Sequence, residues 1–293
     1  GERLRCISRI INHSSTGEGV LTVVTTMDGI ADRLIPVERF KEAVITLDYS
    51  SEIEPEKLAK KLVAMGFVRT GMVEDKGQFA IRGGIIDIFS YTDEAPVRIE
   101  LWDTEVDSIR MFDVESQRSI ERLQSYSIFP ATEYIFTEDE LKNGLYNIKK
   151  ECDRQLECFD YGKRKRTKEQ IEAGNNLNKL VADVERTGNY EKFTDTIVAD
   201  TVGLAEYFPE ENTLVVLDEP NRLKECNELT LYEYNESMKN RLAAGYVLPS
   251  QTNKVKAMNE IISDLRNNKK LILTTLDYKP EGFEIDYSMY ITA

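Results

Sequence analysis

Three arginines and the only tryptophan of the chain fall in neighbouring segments that have the composition of β-strands. Arg82 ends "QFAIR", Arg98 and Trp102 lie in "VRIELW", and Arg110 lies in "SIRMF". Because side chains alternate along a strand, Arg98, Glu100 and Trp102 should share one face, with the apolar residues between them facing the core. An exposed indole beside guanidinium groups is typical of a protein-binding hot spot. An isolated aromatic on a charged sheet is the alternative, and the pattern alone leaves both open.

A second pair of candidate residues, Asp218 and Glu219, ends the apolar segment "TLVVLDEP". A strand that ends in Asp-Glu has the form of a Walker B box, in which the aspartate holds Mg²⁺ beside a nucleotide. That chemistry also needs a phosphate-binding loop, G-x-x-x-x-G-K-[ST], which this sequence does not contain. The sequence therefore favours a core strand with an acidic end over a working nucleotide site.

The other reactive residue types give weaker signals. The single histidine, His13, lies in a polar segment and is expected to be a solvated loop residue. The basic run "KRKRTK" at 163–168 is expected to be a solvated turn between helices, with DNA binding as the alternative. None of the four cysteines forms a C-x-x-C pair, so we expect no metal site and free thiols in a cytoplasmic protein.

Composition limits the classes of function. With 293 residues, of which 41% are hydrophobic and 31% charged, the chain is globular and long enough for two or three domains. A net charge of -14 argues against a non-specific nucleic-acid binder, because the phosphate backbone needs basic neutralisation. No apolar run approaches the roughly 20 residues that span a bilayer, so no membrane partner is expected. The chain begins without Met, and we expect it to be part of a longer protein.

The candidate residues need a scaffold, and hydrophobic periodicity predicts one. In the first part, strands are predicted at 20–26 and 43–47, with a short helix from Asp28 to Leu34 between them. A helix that starts at Pro55 and stops at Gly66 follows. From 68 to 135 the period is two, which predicts a mostly antiparallel sheet with a tight turn at Gly83 and Gly84.

The remainder of the chain changes to helical periodicity. A capping box formed by Thr137 and Glu140 predicts the start of a long amphipathic helix that continues to Phe159. A second helix ends at Gly188. Buried strands are predicted at 213–217 and 270–275, with a helix that carries apolar residues from 255 to 265 between them.

Several of these segments resemble one known family. The stretches "GQFAIRGGIIDIF", "PVRIELWDTEVDSIRMFDVESQRSI", "IFPATEY" and "YFPEENTLVVLDEPNRL" are similar to the bacterial transcription–repair coupling factors and, more distantly, to the excinuclease protein UvrB. The chain resembles the N-terminal region of the coupling factors. The resemblance implies an α/β fold, in which a helicase-like, degenerate P-loop-type core carries an inserted β-rich α+β domain.

The implied domains are 1–53 (domain 1a), 54–136 (domain 2) and 137–293 (domain 1b). In the family, domain 2 binds the excinuclease protein UvrA through positions that match Arg82, Arg98 and Trp102, with Arg110 as a weaker candidate. The resemblance further implies a non-catalytic recruitment module without a cofactor. ATP and Mg²⁺ would serve a translocase motor elsewhere in the full-length protein, whose other domains would contact RNA polymerase and DNA. The alternative is a fragment of a UvrB-like helicase that uses Asp218 and Glu219 as part of a nucleotide site.

Overall fold

The computed structural model describes residues 2–17, 19–159, 165–198, 200–276, 280, 282, 283 and 288. The chain has two compact units, one formed by 1–21 with 35–135 and the other by 22–34 with 136–293. Both helices and a multi-stranded sheet are present, so the fold is mixed α/β. The division 1–53, 54–136 and 137–293 remains a prediction. No helix among the described residues is long and apolar enough to cross a membrane.

Over its described residues, the first unit combines three helices with eight strands. The helices are α1 (Glu2–Thr16), α3 (Val37–Ala43) and α4 (Pro55–Ala64). The strands are β1 (Ile45–Asp48), β2 (Val68–Arg69), β3 (Gln78–Arg82), β4 (Ile85–Phe89), β5 (Val97–Trp102), β6 (Glu105–Phe112), β7 (Ser119–Arg122) and β8 (Ser125–Ile128).

A six-stranded sheet in the order β2-β3-β4-β5-β6-β7 dominates this unit. Its neighbours are antiparallel except for the parallel pair β2–β3, and β1 pairs separately with β8. Helix α4 starts with Pro55 at its first turn and buries Leu58 and Leu62 in the core cluster that the sheet also lines. Gly66 follows the helix with a positive φ of 88°, as predicted for its end. The alternating pattern thus predicted the strands of this sheet correctly, whereas the strand β8, which was expected to belong to the same sheet, pairs with β1 instead.

The second unit is mainly helical. Its helices are α2 (Met27–Ala31), α5 (Glu138–Phe159), α6 (Lys168–Thr187), α7 (Thr194–Ile197), α8 (Pro220–Ala243) and α9 (Met258–Asp264). Single 3₁₀ turns occur at Glu191–Phe193, Leu204–Tyr207, Glu210–Asn212 and Pro249–Thr252. Strands β9 (Leu214–Asp218) and β10 (Lys269–Leu273) form a parallel pair. They lie close to the predicted positions, but most of their side chains are exposed or half-buried, so the expected burial is wrong.

Two helix boundaries in this unit follow the predicted chemistry. The backbone N–H of Thr137 donates to the Glu140 carboxylate, and the Glu140 N–H donates back to the Thr137 hydroxyl oxygen. This is the predicted capping box at the start of α5. Gly188 ends α6 with a left-handed φ of 63°, also as predicted.

The predicted strand at 20–26 is wrong. These residues have no regular secondary structure and pair with no strand of the described chain, and Val20 is 95% exposed. A β-branched run forms a strand only where a neighbouring strand supplies hydrogen bonds and packing. The short helix that follows starts after Thr26, whose hydroxyl oxygen accepts from the Gly29 N–H, and it ends at Ala31 rather than running from Asp28 to Leu34. His13 lies in the last turn of α1 and not in a loop.

Candidate interaction surface

The six-stranded sheet has one apolar face and one polar face. Phe79, Ile86, Ile99 and Ile109 lie on the apolar face and are fully buried in the core of the first unit. The polar face, as the term is used below, is a set of residues from β3 to β7 whose side chains alternate with that core. Its members are Arg82, Asp87, Arg98, Glu100, Trp102, Ser108, Arg110 and Arg122. The same side of the sheet also carries Ala80 and Phe89, which pack with Val73 in a small apolar cluster. The strand register places Asp87, Arg98, Arg110 and Arg122 in one row across four strands.

Asp87 connects two of the predicted arginines. Its carboxylate accepts from Arg98 Nε at 2.6 Å and from Arg98 Nη2 at 2.8 Å, a bidentate pair. The same carboxylate accepts from Arg82 Nη2 at 2.6 Å. The Asp87 side chain is only 1% exposed, so this charge is removed from water and held by both guanidinium groups.

Arg98 is not the exposed guanidinium group that the sequence predicted. Its side chain is 12% exposed, and the guanidinium carbon lies 4.3 Å from the centre of the Phe112 ring. Arg98 Nη2 also donates to Gln117 Oε1 at 2.8 Å. The hydrogen bonds to Asp87 raise the pKa of Arg98 above its ordinary value, so the group is charged at every relevant pH. Arg98 is therefore a fixed, largely enclosed cation.

Arg82, Trp102 and Arg122 are the exposed members of the polar face. The Arg82 side chain is 45% exposed, and Trp102 is 79% exposed at the end of β5. Leu101 packs against the core, so the alternation along β5 places Trp102 on the side of Arg98 and Glu100, as predicted. An exposed indole on the same face as an exposed arginine is typical of a protein-binding surface.

Arg110 forms a separate charge pair. Its Nη2 donates to Glu100 Oε1, and the Ser108 hydroxyl donates to the other Glu100 oxygen at 2.7 Å. Ser108 lies two residues before Arg110 and therefore on the same face, and a bulge in β6 with Asp107 as the extra residue then returns Val106 to the core. Arg110 therefore lies on the polar face with its charge largely balanced by Glu100.

The Gly83–Gly84 turn brings Arg82 next to the neighbouring strand. Gly83 has a φ of 61°, which suits the first central residue of a two-residue hairpin turn. The Gly84 carbonyl accepts from the Leu101 N–H at 2.8 Å, and a Cβ on Gly84 would lie 2.9 Å from the Leu101 carbonyl oxygen. The close approach of backbones therefore requires glycine at 84, and the pair forms a structural turn and not a phosphate-binding loop.

Asp218 and Glu219 lie in the second unit, at the carboxyl end of β9. Glu219 has a φ of 53° and precedes α8, and its carboxylate accepts from the Thr275 N–H at 2.6 Å and from the Thr275 hydroxyl. It thereby ties the end of β9 to the segment after β10. Among the described residues, no group of three or more His, Cys, Asp or Glu side chains is arranged to hold a metal ion. A degenerate nucleotide site at Asp218 and Glu219 remains a prediction.

The basic run at 163–168 falls partly outside the described residues, since positions 163 and 164 are not among them. Of the remainder, Arg166 Nη2 donates to the Leu156 carbonyl at 3.4 Å, and Thr167 forms a capping box with Gln170 at the start of α6. These two residues therefore have roles at helix ends, and DNA binding by the run stays untested.

Sequence reasoning missed Asp87, Phe112 and Gln117, which hold the predicted arginines in place. Asp87 was visible as the one charged residue inside the apolar run "IIDIF". A carboxylate in that position needs a buried partner on the next strand, and Arg98 sits opposite it in the register. The support from Gln117 depends on a φ of 57° in the loop before β7, which no local pattern indicates.

Comparison with known proteins shows what the segment that carries this surface is similar to. The family model of the UvrB interaction domain matches residues 45–134. The transcription-repair-coupling factor of Bacillus subtilis strain 168 is 37% identical over 248 residues, which is 82% of this chain and 20% of that protein. The protein of the same name from Staphylococcus epidermidis ATCC 12228 is 33% identical over 244 residues, covering 83% and 20%. The one from Staphylococcus aureus NCTC 8325 is 32% identical over 244 residues, with the same coverage.

The chain is a relative of the transcription-repair-coupling factors. This confirms the resemblance recognised in the sequence. The chain spans about a fifth of the length of the curated coupling factors that it matches. Arg82, Arg98, Trp102 and Arg110 all lie within the UvrB interaction domain, whereas Asp218 and Glu219 lie outside it. The polar face thus lies within the segment that matches the UvrB interaction domain.

Proposed function

We propose that this chain is the recruitment module of a transcription-repair-coupling factor and that its polar face binds the excinuclease protein UvrA. The observation that carries the proposal is the presence of an exposed arginine, Arg82, and an exposed indole, Trp102, on one face of the sheet inside the UvrB interaction domain. A large aromatic and an arginine are the residue types most enriched among interface hot spots. In this role the chain recognises a protein and catalyses no reaction.

The polar face fits a partner surface that carries carboxylates around an apolar recess. Arg82 uses one nitrogen for Asp87, and its other N–H groups remain available because nearly half of the side chain is exposed. A guanidinium group recognises a carboxylate through two parallel hydrogen bonds, which fixes orientation as well as charge. The Trp102 ring would fill the recess and supply most of the buried apolar area. Arg110, balanced by Glu100, would contribute less.

The wider role follows from the proposal that this chain is part of a longer coupling factor. Such a protein would use ATP and Mg²⁺ in a translocase motor outside this chain, contact RNA polymerase and DNA through other domains, and work in the cytoplasm. The second unit, with its parallel β9–β10 pair and Asp218–Glu219 at the strand end, would be the remnant of a helicase-like core. This module would then link a stalled polymerase to nucleotide excision repair.

A calorimetric titration of purified UvrA with this chain tests the proposal. We expect saturable one-to-one binding that Trp102→Ala weakens by about 30-fold or more, as for a central hot-spot aromatic. Arg69→Ala is a matched control, because Arg69 is 47% exposed and pairs with Glu56 of α4 on the other side of the sheet. The control should bind like the wild type. A wild-type chain that does not bind UvrA would refute the proposed function.

A further inference from the structure

The two arginines that contact Asp87 differ in how much of their side chain is exposed to a partner. Arg98 is enclosed: it donates twice to Asp87, once to Gln117, and lies over the Phe112 ring. Gln117 is itself fixed, since its side-chain amide donates to the Val114 carbonyl at 2.8 Å. Arg98 therefore belongs to the support of the polar face more than to its contact surface.

Arg82 depends on that support. It lies at the end of β3 beside the glycine turn, and its Nη2 donates to the Asp87 oxygen that also accepts from Arg98 Nη2. Asp87 is 1% exposed and sits on the central strand β4, so its carboxylate has a fixed position. An exposed arginine without such an anchor samples many rotamers and loses that freedom on binding. Because Asp87 already restricts the Arg82 side chain in the free protein, less conformational entropy is lost when the partner binds.

We propose that Asp87 is a positioning residue that holds Arg82 in its binding orientation, and that Arg98 in turn holds Asp87. The proposal rests on the proposed function, because it concerns the same surface. Arg98, Asp87 and Arg82 form a series of charge-assisted contacts that runs from the enclosed side of the polar face to its open edge. The partner-facing end of this series is one guanidinium edge, which fits a carboxylate on UvrA.

The positioning role and a simple effect of net charge predict opposite changes in the affinity for UvrA when Asp87 is replaced. Replacing Asp87 with Asn makes the polar face more positive by one charge, which by itself strengthens attraction to an acidic partner. Loss of positioning weakens binding, because Arg82 must then be ordered when the complex forms. Ordering one long side chain is equivalent to about 3- to 10-fold in affinity. The sign of the change in affinity therefore separates the two effects.

The experiment measures the affinity and dissociation rate of UvrA for this chain, its Asp87→Asn and Arg82→Ala variants, and the double variant. We expect Asp87→Asn to weaken binding by about 3- to 10-fold, mainly through faster dissociation. The double variant should bind no more weakly than Arg82→Ala alone, since Asp87 acts through Arg82. Asp107→Asn, which removes an exposed carboxylate from the bulge of β6, controls for the change in net charge and should bind within about 2-fold of wild type.

Because Asp87→Asn leaves Arg98 without its carboxylate, the fold of each variant is checked by circular dichroism. If Asp87→Asn does not fold, Asp87→Asn with Arg98→Met replaces it, since this variant removes both charges of the enclosed pair and keeps a long side chain over Phe112. The same loss of affinity is expected from it. Unchanged or tighter binding, or full additivity with Arg82→Ala, would overturn the role of Asp87. Absence of binding by the wild type would instead overturn the proposed function, and with it this inference.

Discussion

Removing Arg98 should destabilise the sheet far more than removing Arg82, although both contact the same carboxylate. Arg98→Ala deletes two charge-assisted hydrogen bonds to a residue that is 1% exposed, whereas Arg82→Ala deletes one bond at the surface. Truncating one partner of an enclosed ion pair costs about 3–5 kcal/mol. Because Arg82 still contacts Asp87 in the Arg98→Ala variant, we expect the lower end, about 3 kcal/mol. The Arg82 side chain is largely solvated, so Arg82→Ala should cost about 0.5–1 kcal/mol.

Hydrogen exchange of the strand amides measures this difference directly. For strands β4 and β5, about 3 kcal/mol corresponds to exchange through unfolding that is faster by roughly 100-fold. Arg82→Ala should accelerate the same amides by less than about 5-fold. Arg98→Glu should destabilise the sheet more than Arg98→Ala does, because it places a second carboxylate against Asp87. A loss of UvrA binding in Arg98→Glu would therefore not be measured on an intact fold. Equal acceleration by the two truncations would refute the division between a supporting and a contacting arginine.

Three other predictions concern the turn, a buried phenol and the second unit. Gly84→Ala should lower the free energy of unfolding by about 1–3 kcal/mol in urea denaturation, because its Cβ would press on the Leu101 carbonyl; wild-type stability would contradict the turn geometry. Burial raises the pKa of Tyr126 well above 10, so its contribution is complete below about pH 10 and is lost as pH rises above it. The stability of wild type relative to Tyr126→Phe should therefore be constant below about pH 10 and fall as the pH rises above it, and a difference that stays constant at high pH would contradict this. Glu219→Ala should destabilise the second unit by about 1–3 kcal/mol through loss of the Thr275 contacts, seen as faster exchange in β9 and β10, and unchanged exchange would argue against that tie.

The antiparallel sheet could be predicted from the sequence because its signals are local. Two-residue alternation between 78 and 112, a Gly-Gly turn and proline at the first turn of α4 each specify a conformation without knowledge of distant residues. The capping box at Thr137 and Glu140 is equally local. Strand alternation alone also places Arg98, Glu100 and Trp102 on one face.

The features that were missed depend on partners elsewhere in the chain. Residues 20–26 have strand composition, yet strand formation needs a neighbour that composition does not reveal. Helix α8 was not predicted, because its apolar residues are not confined to one face; Leu229 and Tyr232 are both exposed. The enclosure of Arg98 depends on Phe112 stacking and on Gln117 from a loop, which strand alternation cannot indicate.

The central claim is that the polar face binds UvrA through Arg82 and Trp102. The most direct measurement is a titration of UvrA with wild type, with the double variant Arg82→Ala/Trp102→Ala, and with the control Arg69→Ala, each shown to be folded by hydrogen exchange. The account predicts saturable binding by wild type and Arg69→Ala, and a loss of at least about 100-fold in the double variant. Equal affinity of all three chains would contradict it.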